Sequence, residues 1–133
     1  MLQTYFGHSG AMIGAHIELI LIVTGALTAM AVLQCVAPTP VLRTIDGKTP
    51  TNEVVLALAR HWGLLTFLIG ILLIYAAFHP AIRDPVMVVA IVEKFALGAG
   101  IFGTSLRKYP VLVAIATADS VIALIYVLYF AGF

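Results

Sequence analysis

The sequence predicts an all-α membrane protein with four transmembrane helices in an up-down-up-down antiparallel bundle. The chain is 62% hydrophobic and 10% charged, whereas soluble domains are about 45–50% apolar and about 25% charged. Its mean hydropathy is +1.12. The 133 residues divide into four apolar stretches, and each is close to the roughly 20 residues that cross a bilayer. We therefore expect a single integral-membrane domain over residues 1–133, with no length left for a soluble domain.

The first apolar stretch predicts a helix over residues 11–36, which Pro38 and Pro40 end. No Lys or Arg precedes it, so a retained helix is expected in place of a cleaved signal peptide. Glu18 and Gly25 lie at helical spacing on a face of small residues. Such faces allow membrane helices to approach closely, so we expect Glu18 to point into the protein.

Each of the other three helices begins at a recognisable signal. Thr51 or Asn52 suits an N-cap, Asp84 suits another before Pro85, and Pro110 suits the first position of the last helix. The predicted helices cover residues 53–78, 85–105 and 110–132.

The longest connection, residues 37–52, is expected to be a solvated loop with a turn at Asp46 and Gly47. Basic residues are divided unequally between the two sides of the predicted bundle. By the positive-inside rule, the 37–52 connection is cytoplasmic and both termini face outward from a bacterial cytoplasmic membrane. The basic side holds Arg43, Lys48, Arg107 and Lys108, and the opposite side holds Arg83.

Ionisable residues within the predicted spans form the candidate site. A charge at the bilayer centre costs about 2.5–3.5 kcal/mol on insertion scales, so each needs a partner. At 1.5 Å of rise per residue, Asp119 lies at a depth between Lys94 and Arg60, which predicts a structural ion network. Glu18 and Glu93 lie at similar depth and are expected to form a protonatable pair. The alternative is that these charges have no function beyond fixing the register of the helices.

His61 is the remaining candidate for proton or ligand binding. A bis-histidine haem site needs two histidines at compatible depth, but His16 and His61 are about 15 Å apart in depth by the helical rise. We therefore predict no haem and no other cofactor. The single Cys35 excludes a cysteine-based metal cluster, and no metal site is predicted.

Four short spans with a carboxylate, Glu18, early in the first helix resemble the layout of the small multidrug-resistance exporters. The layout is also similar to that of the broad DoxX-like group of four-helix bacterial membrane proteins. The resemblance covers layout and Glu18. The chain departs from the exporters in carrying four further buried charges, at Arg60, Glu93, Lys94 and Asp119.

These features favour a non-enzymatic subunit or interaction module of a membrane assembly, with lipid and a homo-oligomer or larger membrane complex as partners. The net charge of +1 argues against nucleic acid. One alternative is a proton-coupled carrier or small-amphiphile binder that works as a dimer through Glu18 and Glu93. Another is an intramembrane acid/base enzyme, such as a lipid isomerase, that uses a carboxylate and His61. No spacing marks a catalytic group, so an enzyme is the least favoured class.

Overall fold

A computed structural model describes residues 12–133, and these residues form helices with no strand among them. Four stretches are long and apolar enough to cross a membrane, as an integral membrane protein requires: Ile17–Val36, Glu53–Phe78, Pro80–Phe102 and Pro110–Phe130. The helices are α1 (Met12–Ala15), α2 (Ile17–Ala29), α3 (Val32–Val36), α4 (Pro38–Asp46), α5 (Glu53–Phe78), α6 (Pro80–Phe102) and α7 (Pro110–Phe130), with a 3₁₀ turn at Ser105–Lys108 before α7.

The first predicted helix is divided at two places, His16 and the turn formed by Met30 and Ala31. In that turn, the N–H groups of Met30 and Ala31 bond to carbonyls three residues back, at 3.3 and 3.2 Å. Hydrogen bonds that reach back three residues, and not four, are typical of a 3₁₀ turn, which is tighter than an α-helix. A single uninterrupted helix is therefore wrong within the described part of the chain, and its predicted start at residue 11 lies outside that part.

The 37–52 connection contains α4, so the prediction of a loop throughout is wrong. Pro38 occupies the first position of α4, where a proline N–H would be unbonded in any case. The predicted turn is confirmed: Gly47 has a φ of 75° at the C-terminus of α4, and the Lys48 N–H donates to Asp46 Oδ1 at 2.9 Å. The half-buried side chains of α4 are Thr39 and three apolar ones, Val41, Leu42 and Ile45.

Helix α5 begins and ends at the predicted residues, Glu53 and Phe78. Its N-cap is Asn52, whose Oδ1 accepts from the N–H groups of Val54 at 2.9 Å and Val55 at 3.2 Å. Two of the N-terminal N–H groups that no helical carbonyl can reach are satisfied in this way.

Helix α6 begins five residues before the predicted start and ends at Phe102, so Pro85 lies inside it. Pro80 takes the first position, and Pro85 follows early enough that its missing N–H removes only one of the first helical bonds. The connection between α5 and α6 is therefore the single residue His79. Helix α7 begins at Pro110 as predicted and ends at Phe130, two residues early.

Arg83, expected in a loop, is a buried residue of α6. Its Nε donates to the Ala76 carbonyl at 3.2 Å, and its Nη2 donates to the Ala77 carbonyl at 2.9 Å. The guanidinium thus satisfies the carbonyl end of α5, where the helix dipole also favours a cation. This contact holds the start of α6 against the end of α5.

Glycines allow α5 to approach the first span at backbone distance. A Cβ added at Gly63 would lie 2.8 Å from the Ala31 carbonyl oxygen, and one added at Gly25 would lie 2.8 Å from the Gly70 oxygen. The apolar core is formed by side chains of α2, α5, α6 and α7. Its members are Ile17, Leu21, Leu73, Ala76, Ala77, Met87, Ala90, Ile122 and Tyr126.

Candidate functional site

Lys94 is the centre of the buried polar structure. Its side chain is completely buried, and Nζ donates to Thr28 Oγ1 at 2.9 Å and to Asp119 Oδ1 at 3.1 Å. The three residues belong to α2, α6 and α7, so one ammonium group joins three of the four spans. Buried charges are expected to be paired and hydrogen-bonded in this way.

A row of hydroxyl groups extends from Lys94 along α2, and its two threonine hydroxyls each donate to a backbone carbonyl. Thr28 Oγ1 donates to the Thr24 carbonyl at 2.8 Å, and Thr24 Oγ1 donates to the Ile20 carbonyl at 2.6 Å. Thr24 Oγ1 is also hydrogen-bonded to the hydroxyl of Tyr126. Because the one Thr24 proton is already donated, the Tyr126 hydroxyl is the donor.

Sequence analysis missed these three residues. Thr24 and Thr28 are four residues apart on the buried face of α2, and Tyr126 is completely buried on α7. The spacing of two hydroxyls in an otherwise apolar span was the available signal. We call Thr24, Thr28, Glu93, Lys94, Asp119 and Tyr126 the polar layer.

Glu93 is the one member of the polar layer whose charged atoms have no hydrogen bond. Both carboxylate oxygens are buried and lack a partner in the described part of the chain, and Oε2 lies 3.9 Å from Lys94 Nζ. The side chains of Glu93 and Asp119 remain 17% and 16% exposed. With one cation and two carboxylates, the cluster has a charge of −1 when both acids are ionised.

Of the three residues in the predicted ion network, the structure brings together Lys94 and Asp119 and leaves Arg60 outside. Arg60 is exposed on α5, next to the buried Ala59, and successive helical residues point about 100° apart. The close contacts of Gly63 and Gly70 orient α5 so that Arg60 falls outside its buried face. His61 is exposed as well.

The structure does not bring Glu18 and Glu93 together. Glu18 is exposed in the first turn of α2, and Lys94, the neighbour of Glu93, meets α2 at Thr28. Thr28 is ten residues beyond Glu18, or about 15 Å along the helix. The buried face of α2 is turned about a quarter of a revolution from the expected one and consists of Ile17, Leu21, Thr24, Gly25 and Thr28.

The depths of Glu18 and Glu93 differ from the predicted ones because both helices begin at other residues than predicted. Helix α2 begins at Ile17 and not at residue 11, which places Glu18 at its very start. Helix α6 begins at Pro80 and not at Pro85, which moves Glu93 to the far side of its midpoint. Both shifts increase the separation of the two carboxylates.

A small apolar groove lies between α5 and α6. Its volume is about 170 Å³, and its walls contain no polar surface. Among the described residues, no group of three or more His, Cys, Asp or Glu side chains is placed to hold a metal ion. The groove is lined by Ile69, Leu72, Pro85, Val86 and Val89.

The polar layer provides a fixed cation, a paired carboxylate and a second carboxylate with free acceptor capacity. Such a set is able to lock three helices together, to hold a proton, or to attract a cation. No family model, curated protein or solved structure matches this chain.

Proposed function

We propose that this protein is a non-enzymatic subunit or interaction module of a larger membrane assembly. The observation that carries the proposal is the exposure of Arg60 on the outer face of α5, together with His61. Arg60 has no ion-pair or hydrogen-bond partner among residues 12–133. An unpaired charge on a membrane-facing surface is costly, and a partner protein with a carboxylate at that level would remove the cost.

The depth of Arg60 supports a partner within the membrane. Helix α5 has 26 residues and is about 39 Å long, whereas the hydrocarbon core is about 30 Å thick. Arg60 is seven residues from Glu53, or about 10 Å from the helix start. With the excess length shared between the two ends, the Arg60 backbone lies about 6 Å inside the hydrocarbon.

A second copy in the same orientation does not supply the required carboxylate. The pairing of Gly25 with Gly70 and of Ala31 with Gly63 places Glu18 near the opposite end of α5 from Arg60, about 25 Å away by the helical rise. Glu93 and Asp119 are largely enclosed by the bundle.

The other carboxylates are exposed but lie at other depths. Glu53 is about 10 Å from Arg60 along α5 and outside the hydrocarbon by the same measure, Asp46 lies outside the four spans, and Asp84 lies near the opposite end of α5. The proposed partner is therefore a different chain with an Asp or Glu in a transmembrane segment.

The remaining architecture is part of the same proposal. The spans cross as an up-down-up-down antiparallel bundle in a bacterial cytoplasmic membrane, with the 37–52 segment cytoplasmic and both termini outward. The short connections before α6 and α7 support this order, and the basic residues support the orientation. A reporter that works only in the cytoplasm, fused after Phe133, is expected to be inactive.

Photo-crosslinking tests the proposed partner directly. A benzophenone amino acid at Leu64, one turn from Arg60 and 41% exposed, is expected to capture a distinct protein in native membranes. Arg60→Gln should lower the crosslink yield at least about tenfold and Arg60→Lys should preserve much of it, because a desolvated charge pair contributes several kcal/mol. The matched control is the same probe at Leu124, 52% exposed on α7.

Each other outcome has a defined meaning. Crosslinks between copies of this chain would replace the heteromeric partner with a homo-oligomer. Adducts to lipid alone, unchanged by Arg60→Gln, would show that the guanidinium extends to the headgroups, and would overturn the proposal. Capture at Leu64 and Leu124 with equal yield would show unspecific proximity and would also overturn it.

A further inference from the structure

We propose that Glu93 and the groove between α5 and α6 form a binding site for a small amphiphile that carries one positive charge. The ligand class is a primary ammonium group joined by a short alkyl chain to one aromatic ring or a comparable apolar body. This inference goes beyond the proposed subunit function and does not depend on Arg60 or on a partner protein.

Helical geometry places Glu93 at the end of the groove. Val86 and Val89 line the groove on α6, and Glu93 follows them by seven and four residues. Residues at these spacings lie on one face of a helix. The carboxylate-bearing residue is thus the next position of the same stripe, about 6 Å along the helix from Val89.

The unused hydrogen-bonding capacity of Glu93 identifies the charge of the ligand. Both oxygens lack a hydrogen bond within the described chain, whereas Lys94 is already bonded to Thr28 and Asp119. A buried carboxylate without donors is unfavourable, and an ammonium group supplies three. One monovalent cation also brings the charge of the cluster from −1 to zero. The proposed site requires the partly exposed Glu93 side chain to rotate, so that its carboxylate turns from Lys94 Nζ, 3.9 Å away, toward the groove.

The size and lining of the groove identify the apolar part of the ligand. Its volume is about 170 Å³ and its lining is entirely apolar. An engineered apolar cavity of about 150 Å³ in another protein binds benzene, so a single aromatic ring fits. A short alkyl chain then bridges the distance from the groove to Glu93.

The test compares two probes on the full-length protein in bicelles. Fluorophenylbutylammonium and its uncharged analogue fluorophenylbutanol share the ring and the chain, and fluorine NMR follows the binding of each. On the unmodified protein, the ammonium compound is expected to bind saturably with a Kd at least about tenfold below that of the alcohol, because charge-assisted hydrogen bonds are the stronger ones. This comparison needs no variant and does not depend on the folding of one.

Matched variants then locate the site. Glu93→Gln is expected to raise the Kd of the ammonium probe about tenfold and to leave the alcohol unchanged. Glu18→Gln removes an exposed carboxylate from another span and should change neither Kd by more than about twofold. Val89→Phe fills the groove and should weaken both probes.

Three results would overturn the inference. Equal binding of ammonium and alcohol to the unmodified protein would show a lipid-like apolar groove without charge selection. A normal ammonium Kd in Glu93→Gln, with helicity unchanged, would remove Glu93 from the site. Loss of binding in Glu18→Gln equal to that in Glu93→Gln would show general attraction of the cation to the protein.

Discussion

The polar layer and the outer face of α5 both carry charged residues inside membrane-spanning helices, but their surroundings are opposite. Lys94 is completely buried and bonded to two side chains, whereas Arg60 is exposed and has no described partner. Both residues were expected in one ion network because of their depth. The difference teaches that the angle of a residue around its helix, and not its depth alone, decides whether a charge meets the interior.

Removal of one partner of the buried pair should produce the largest effect on stability. Asp119→Leu removes the carboxylate that is hydrogen-bonded to the Lys94 ammonium. Glu93, 3.9 Å away and not hydrogen-bonded to Lys94, is then the remaining described counter-charge. Breaking a buried pair in this way costs about 3–5 kcal/mol. We expect the free energy of unfolding, measured by denaturing-detergent titration in mixed micelles, to fall by that amount.

The comparison with Arg60 provides the control. Arg60→Leu should change the unfolding free energy of the isolated protein by no more than about 0.5 kcal/mol, because no described group bonds to the guanidinium. The triple variant Glu93→Leu, Lys94→Met and Asp119→Leu removes all the charges of the polar layer. It should recover most of the loss, since apolar replacement of buried paired charges is often neutral. A triple variant no more stable than Asp119→Leu would show that these charges contribute more than mutual neutralisation.

Arg83 is a third type of charge in the spans, a buried cation that uses only backbone acceptors. Arg83→Leu leaves no carboxylate without a partner. It does remove the two guanidinium donors that bond to the carbonyls of Ala76 and Ala77. Hydrogen bonds to charged groups contribute about 1.5–3 kcal/mol, and we expect the same titration to show a loss in this range.

The exposed Asp84 offers a matched control for Arg83 in the same turn of α6. Asp84→Asn should leave the unfolding free energy within about 0.5 kcal/mol of the unmodified protein. Equal losses of unfolding free energy in Arg83→Leu and Asp84→Asn would mean that stability depends on the charge at this end of the bundle. The hydrogen bonds from Arg83 to α5 would then contribute little.

The sequence predicted the helical class, the number of spans and the limits of α5, because long apolar stretches and the Asn52 cap are local signals. It also identified Lys94 and Asp119 as candidates for a shared network. It did not predict the contacts of Arg83 or the hydroxyls of Thr24, because these depend on which helix faces which. Pro80 and Pro85 are both acceptable near a helix start. The helix begins at Pro80, and this places Glu93 further from Glu18 than predicted.

Close packing at the glycines fixes the orientation of α5. Loss of this packing should therefore reduce the difference in exposure between the outer face of α5 and the polar layer. A Cβ at Gly63 would lie 2.7 Å from the Cys35 nitrogen and 2.8 Å from the Ala31 oxygen, and backbone atoms cannot move aside as side chains do. Gly63→Ala should therefore cost about 1–3 kcal/mol. Gly100 has open space around the added carbon, so Gly100→Ala should be neutral or slightly stabilising by the same assay.

The smallest effect is expected at Tyr126, where the row of hydroxyl groups in the polar layer ends. Tyr126→Phe removes the hydroxyl that donates to Thr24 and keeps the ring in the core. Hydrogen bonds between membrane helices average about 0.6 kcal/mol by double-mutant cycles, so the unfolding free energy should fall by about that amount. The cycle with Thr24→Val isolates the bond, because Thr24 also donates to the Ile20 carbonyl. A coupling energy near zero would limit the stabilising part of the polar layer to Lys94 and its direct partners, and a value near that of the Lys94–Asp119 pair would make the layer one cooperative unit from α6 to the end of α7.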